Sequence, residues 1–213
     1  MRAYCISRQR GVSLISLMIG LVISMIVVVG AMVLFQNTAK RTAEARQDVL
    51  GDSQRTSSFL SAGLSLQDAG FGITTPSAGT HLILLQNAVL SGTTVTGTAV
   101  TIDATLRQGN AIVWAENITG TVRCSALLAP TTGGVRKLGP VNCTNATAWN
   151  TLTWTNNALS DSPATPAAIR IQTINCQPFG ITSNEGTLQV TFSANNSNGI
   201  ALSASQCLIN FAA

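Results

Sequence analysis

The hydrophobic pattern of the chain is most uneven at its start. From Val12 to Phe35 there is no charged residue, and apolar runs such as Leu21-Val22-Ile23 and Met25-Ile26-Val27-Val28-Val29 are interrupted only by serines and glycines. At ~1.5 Å per residue the tract makes about 36 Å of helix, enough for a ~30 Å hydrocarbon core. A membrane-spanning helix over 12–35 is therefore predicted. The residues behind it, Gln36-Asn37-Thr38-Ala39-Lys40-Arg41, contain no helix breaker. A secretory signal has a shorter apolar region ending in small residues at a cleavage site, so the pattern favours a helix that continues past the membrane.

Residues 36–72 are the polar half of this predicted helix, with Lys40, Arg41, Glu44, Arg46, Asp48, Asp52, Arg55 and Asp68. Ala39, Ala43, Leu50, Leu60 and Leu64 recur at helical spacing, interrupted by Ser53 and Ser57, and are expected to pack as a stripe on a globular domain. Gly70 is the expected C-cap, which makes a helix to about Ala69 and roughly 87 Å long. Past Gly72 the texture turns to Thr, Ser, Asn and Gly with short β-prone runs. Strands are predicted at 81–85, 99–102, 111–114, 121–124, 152–154, 169–174, 188–192 and 207–211, several alternating apolar and polar with period two. The polar stretches 130–148 and 156–165 are predicted loops. The expectation is an α+β fold, a long helix packed on an antiparallel β-sheet formed by residues 73–213.

Composition narrows the chemistry. The 213 residues are 46% apolar, 5% aromatic and 9% charged, with a formal charge of +4. Three of the cations, Arg2, Arg8 and Arg10, lie at the extreme N-terminus, and without them the charge is close to balanced, which argues against a nucleic-acid-binding face. There is one histidine, His81, and beyond residue 72 the carboxylates are Asp103, Glu116, Asp161 and Glu185. An inventory this thin argues against an enzyme, a metal site or a cofactor. No P-loop, nucleophile-elbow or HExxH pattern is present. His81 reads as structural or surface, Trp114, Trp149 and Trp154 as packing residues, and the Asn-x-Ser/Thr matches as products of an Asn- and Thr-rich composition.

The start of the apolar tract carries a resemblance. Arg8-Gln9-Arg10-Gly11 followed by Val12-Ser13-Leu14-Ile15-Ser16-Leu17-Met18-Ile19-Gly20 resembles the class III signal of type IV prepilins and type II secretion pseudopilins. The resemblance implies that a membrane-embedded prepilin peptidase cuts between Gly11 and Val12. It further implies that leader 1–11 is lost and that Val12 becomes an N-methylated first residue. The fold it implies is type IV pilin-like. Two positions depart from the family pattern. Val12 stands where Phe or Met is usual, and Ser16 stands where a Glu usually pairs with the N-terminal amine of a neighbouring subunit in the apolar filament core. Asp68-Ala69-Gly70-Phe71-Gly72 is similar to the Ala-Gly-aromatic-x-Gly signature that ends the long helix of PilW-type minor pilins.

Removal of the leader would discard Cys5 and leave Cys124, Cys143, Cys176 and Cys207, an even number that suits two disulfides. Their spacings match no CxxC metal or redox motif. Cys124–Cys143 and Cys176–Cys207 are expected because each closes a chain-local loop, with the other two pairings open. Disulfides also orient the chain. Basic residues flank the tract on both sides (Arg2, Arg8, Arg10 before it, Lys40, Arg41, Arg46 after it), so charge alone gives a tie. An oxidised domain belongs outside the cytoplasm, which places the N-terminus inside.

Ser16, Gly20 and Ser24 share one helix face and would let other helices approach closely. The reading that joins these features is a minor pilin that primes or caps a type IV pilus, at the tip because Ser16 replaces the pairing Glu. Its expected partners are other major and minor pilins, prepilin peptidase, the inner-membrane assembly platform and, before assembly, membrane lipid; the expected location is a single inner-membrane pass and then the cell surface. Two readings compete: a minor pseudopilin of a type II secretion system, and a membrane-tethered extracytoplasmic binding module that does not assemble.

Overall fold

The computed structural model describes residues 13–160, 166–178, 186–196 and 199–211. The chain divides into two compact units, 1–47 and 48–213. Helix α1 runs from Leu14 to Leu66, and its described residues in the first unit are exposed throughout. Ten strands follow: β1 Leu82–Ser91, β2 Thr94–Val100, β3 Arg107–Gly109, β4 Ala111–Glu116, β5 Arg123–Leu128, β6 Val135–Asn142, β7 Asn156–Ser160, β8 Ala168–Cys176, β9 Gly186–Asn195 and β10 Ala201–Leu208. This is an α+β, type IV pilin-like layout of one long N-terminal helix and antiparallel sheets.

The strands form two sheets rather than the single one expected. The first has six strands in the order β2-β1-β4-β5-β6-β7, and the second has four in the order β10-β9-β8-β3. One core joins them to the helix. Phe59, Ala62 and Leu66 of α1 meet Leu82, Leu84, Ile112, Trp114 and Leu127 of the first sheet and Ile169, Ile171, Leu188, Val190 and Phe192 of the second. The rings of Phe59 and Phe192 stack with centroids 5.9 Å apart.

The opposite face of the first sheet is also dry. Leu85, Val113, Ala115, Ala126, Leu128 and Leu138 pack beneath Ala146 and Trp154, with Trp149 and Leu152 beside them. That explains why β4 is buried at every position. It also corrects the strand predicted at 152–154. Those residues are apolar because they belong to the irregular cover laid over the sheet.

Three further expectations are corrected. The helix packs through Arg55, Ser58, Phe59, Ala62, Gly63 and Leu66, a small-residue face that lets the sheets approach, and not through the leucine stripe. Leu50, Leu60 and Leu64 are 63%, 68% and 58% exposed. The predicted loops 130–148 and 156–165 contain β6 and β7, which pair with β5 and with each other. Gly139-Pro140 and the asparagines disguised them. Gly139 itself, at φ 82°, lies so close to β5 that an added Cβ would meet Cys124 O at 2.7 Å. The last strand is β10 at 201–208, displaced from the predicted 207–211 because its first half alternates only Ser with Ala and Leu.

Candidate functional site

The membrane-type segment is the first part of the site. Its most apolar window has mean hydropathy 2.9 with none of it buried. Ser16, Gly20 and Ser24 lie four residues apart on α1, on one face, and all are exposed. A Cβ on Gly20 would meet nothing within 4 Å. Ser24 Oγ donates to Leu21 O at 2.8 Å, so its hydroxyl is satisfied within the helix and the face it presents is small and weakly polar. Such a face suits lipid or other helices equally well. Gly11 and Val12, the expected processing site, lie outside the described residues.

The second part is the end of α1, where Asp68-Ala69-Gly70-Phe71-Gly72 binds the first sheet. Past Leu66 the helix dissolves into three-residue turns: Ala69 N donates to Leu66 O at 3.0 Å and Phe71 N to Asp68 O at 3.0 Å. Gly70 is therefore not the helix cap that its sequence position predicts. Its N–H leaves the helix and donates to Ala115 O of β4 at 2.9 Å, while Asn117 N donates to Phe71 O at 2.8 Å. Gly72, at φ 69°, approaches so closely that a Cβ would lie 2.2 Å from Asn117 O. Both glycines of this signature are left-handed and have no room for a Cβ, Gly70 against the Phe211 and Pro76 side chains and Gly72 against the Asn117 backbone.

Asn210 and Glu116 lie at this junction, Arg55 ties the helix to the second sheet, and none of the three was singled out by sequence. Asn210 Nδ2 donates to Gln67 O at 3.1 Å and Ala69 O at 2.9 Å, satisfying carbonyls at the end of the helix. Arg55, 6% exposed, donates from Nη1 to Asn195 O at 2.7 Å and lies 3.5 Å from Asp52 Oδ1. Glu116, also 6% exposed, accepts from Trp114 Nε1 at 3.4 Å. Burial holds its carboxyl above the usual carboxylate range; the charge of Asp68 pushes the same way, and the Trp114 hydrogen bond, Lys137 and Arg123 pull against it. The available signal was a lone charge on an otherwise small or apolar face, as with Arg55 among Ser58, Ala62 and Gly63.

Disulfides join Cys124 to Cys143 and Cys176 to Cys207, each with Cα atoms 5.7 Å apart. The first ties β5 to the cover of the first sheet and the second ties β8 to β10. With sequence separations of 19 and 31, each closes a loop worth about 3–4 kcal/mol on the chain-entropy model.

The remaining chemistry is sparse. Ser77 N donates to His81 Nδ1 at 3.1 Å, which makes the histidine a turn residue. Trp114 and Trp154 are buried in the cores and Trp149 packs against one. Asp103 and Arg107 form an exposed pair, the guanidinium hydrogen bonds holding the Asp103 carboxyl well below its usual range. A cleft of about 390 Å³ is lined by Gln86, Gln108 and Asn110, with no titratable side chain. Gln86 Nε2 there donates to Gln108 O at 2.7 Å and Asn110 Nδ2 to Ala88 O at 2.8 Å, so the amides fasten the chain to itself. Among the described residues no cluster of His, Cys, Asp and Glu could hold a metal ion.

The feature that decides the reading lies at the N-terminus. Residues 6–32 match the Prokaryotic N-terminal methylation motif. This is the motif of type IV prepilin-like proteins, and it points to a pilin or pseudopilin, a structural subunit handled by prepilin peptidase and assembled with others of its kind. No curated protein and no solved structure matches the chain.

Proposed function

We propose that this chain is a minor pilin that primes or caps a type IV pilus, with the leader 1–11 removed, residues 12–35 serving first as membrane anchor and then as filament-core helix, and the disulfide-stapled β domain outside the cytoplasm. The observation that carries the reading is the methylation motif at 6–32 overlapping an uncharged tract whose described residues, 13–35, are all exposed. An apolar helical tract this exposed needs lipid or other helices around it. The Ser16/Gly20/Ser24 face is its assembly surface. The PilW-type assignment rests on residues 68–72, whose two glycines are held by close contact with the end of β4. Two disulfides support the N-in, periplasmic orientation, because they persist only in an oxidising compartment. A type II secretion pseudopilin would share all of these features, and the neighbouring genes separate the two.

Mass spectrometry of the mature protein tests the reading. The first residue should be Val12, carrying a methyl group on its amine, and Gly11→Leu should leave the leader attached. A mature chain beginning at Met1, or beyond Phe35, overturns it.

A further inference from the structure

The two sheets have four edge strands, and three are blunted. β3 is three residues long and flanked by the Asp103–Arg107 pair. β7 has five residues and a register shift against β6. β2 pairs with β1 across a register shift and contains Gly97. Natural proteins protect sheet edges in these ways, because an open row of N–H and C=O groups recruits another strand.

β10 has none of these protections. It is eight residues of Ala-Leu-Ser-Ala-Ser-Gln-Cys-Leu without a charge, proline or glycine. It pairs with β9 in unbroken register from Ala201↔Asn195 to Leu208↔Leu188. Asn196 N donates to Ile200 O, which fixes the alternation of the antiparallel ladder. Residues 202, 204, 206 and 208 therefore bond to β9, and the amides of Ala201, Ser203, Ser205 and Cys207 point away from it. Among the described residues no backbone hydrogen bond reaches that side, where Gln206 Nε2 donates to the outward Cys207 O at 3.3 Å.

A second feature lies beside this edge. Leu60 and Leu64 of α1 stand exposed on the rim of a cleft of about 130 Å³ that is also lined by Gly63, Phe192, Ala204 and Gln206. A strand added to β10 would satisfy the edge and lay every second side chain over these leucines, so one occupant answers both. Neither the strand nor the cleft lining contains an ionisable group. A charge on the added strand would be buried without a partner, and the occupant must therefore be uncharged there.

We propose that the outer edge of β10 is an interaction surface that receives an uncharged strand, alternating apolar and small polar residues, from a neighbouring subunit of the same assembly. The identity of the neighbour rests on the pilin-type reading; the open edge does not. A photo-reactive benzoylphenylalanine at Ser203 of the full chain, irradiated in its own cells, tests it. The expected cross-link is to an uncharged segment of another protein that carries an N-terminal methylation motif. Ser205→Pro, which removes an outward amide together with the hydrogen bond between Ser205 Oγ and Thr191 Oγ1, should lower the cross-link and the recovery of the chain in sheared fibres by roughly tenfold, the effect of ~1.4 kcal/mol, whereas Ser205→Ala, which loses that hydrogen bond alone, should keep both. If that variant unfolds, Leu64→Lys on the exposed rim should give the same loss. Cross-links only to lipid or to a second copy, or wild-type cross-linking and recovery in folded Ser205→Pro or Leu64→Lys, overturn the proposal while the chain is still found in fibres. A wild-type chain that forms the expected cross-link yet never enters a fibre leaves the edge in place and overturns the assembly reading, and absence of both overturns both.

Discussion

At the residue scale, the two glycines Gly20 and Gly72 show how differently the same amino acid is used along this chain. Around Gly20 an added Cβ meets nothing, whereas at Gly72 it would lie 2.2 Å from Asn117 O with φ at 69°. Alanine is therefore harmless to folding at the first site and incompatible with both the backbone and the space at the second. Gly72→Ala should cost on the order of 3 kcal/mol, combining left-handed strain with displaced backbone. Gly20→Ala should cost nothing in the monomer. Denaturant midpoints of the full chain in detergent check the pair, and equal midpoints would show that the contact with Asn117 carries no stability. Arg55 is a different kind of residue-scale commitment. Its guanidinium is buried with Asn195 O and Asp52 as partners, so removing Asp52 would take away the carboxylate that balances a buried charge.

At the element scale, the join between α1 and the first sheet contains a buried acid, and this makes its stability depend on pH. The Glu116 carboxyl is held above its ordinary value chiefly by burial, so the folded state binds this proton more tightly than the unfolded state does. Stability from this group is present at and below the unfolded Glu value and is lost as pH rises through the raised folded value. Above that folded value the ionised, buried carboxylate is a cost. Glu116→Gln should raise the melting temperature at pH 7–8 by about 2–4 °C, the effect of ~1 kcal/mol in a chain of this size. The difference should shrink toward pH 4, and a variant less stable than wild type at pH 8 would contradict the argument. Elements of this kind were only partly legible in the sequence. The helix and the central strands β1, β4, β8 and β9 announced themselves by apolar runs and period-two alternation. β6 and β7 did not, because Gly139-Pro140 and an asparagine pair are poor strand formers and tertiary pairing overrides local preference. The packing face of α1 was hidden for the opposite reason: Ser58, Ala62 and Gly63 contribute closeness instead of apolar bulk, and the leucines that dominate a hydropathy pattern point outward. The tract 12–35 and the cysteines carried the functional reading, but Asn210 and Glu116 act through contacts with residues far away in the chain, which no local pattern encodes.

At the scale of the whole molecule, the question is where such a subunit belongs in a fibre, and Ser16 bears on it. In the family that the N-terminal motif resembles, a Glu at this position neutralises the N-terminal amine of a neighbour within the apolar filament core. Ser16 has a hydroxyl and no charge, and its side of the helix is exposed, with no carboxylate of its own chain inside the uncharged tract. A subunit inserted below others would leave an amine unpaired there, and an uncompensated charge out of water costs several kcal/mol. A subunit that enters first has no predecessor whose amine needs pairing, so the loss of Glu is tolerable at the tip and costly in the shaft. An open β10 edge and exposed Leu60 and Leu64 fit the same position, since a capping subunit needs lateral contacts with the few subunits around it. Ser16→Glu should therefore leave fibre number and length nearly unchanged, and immunogold directed at the β domain should mark fibre ends. Gold distributed evenly along the shaft, or a large gain in fibres on restoring the Glu, would remove the tip assignment and leave the subunit as an ordinary component of the shaft.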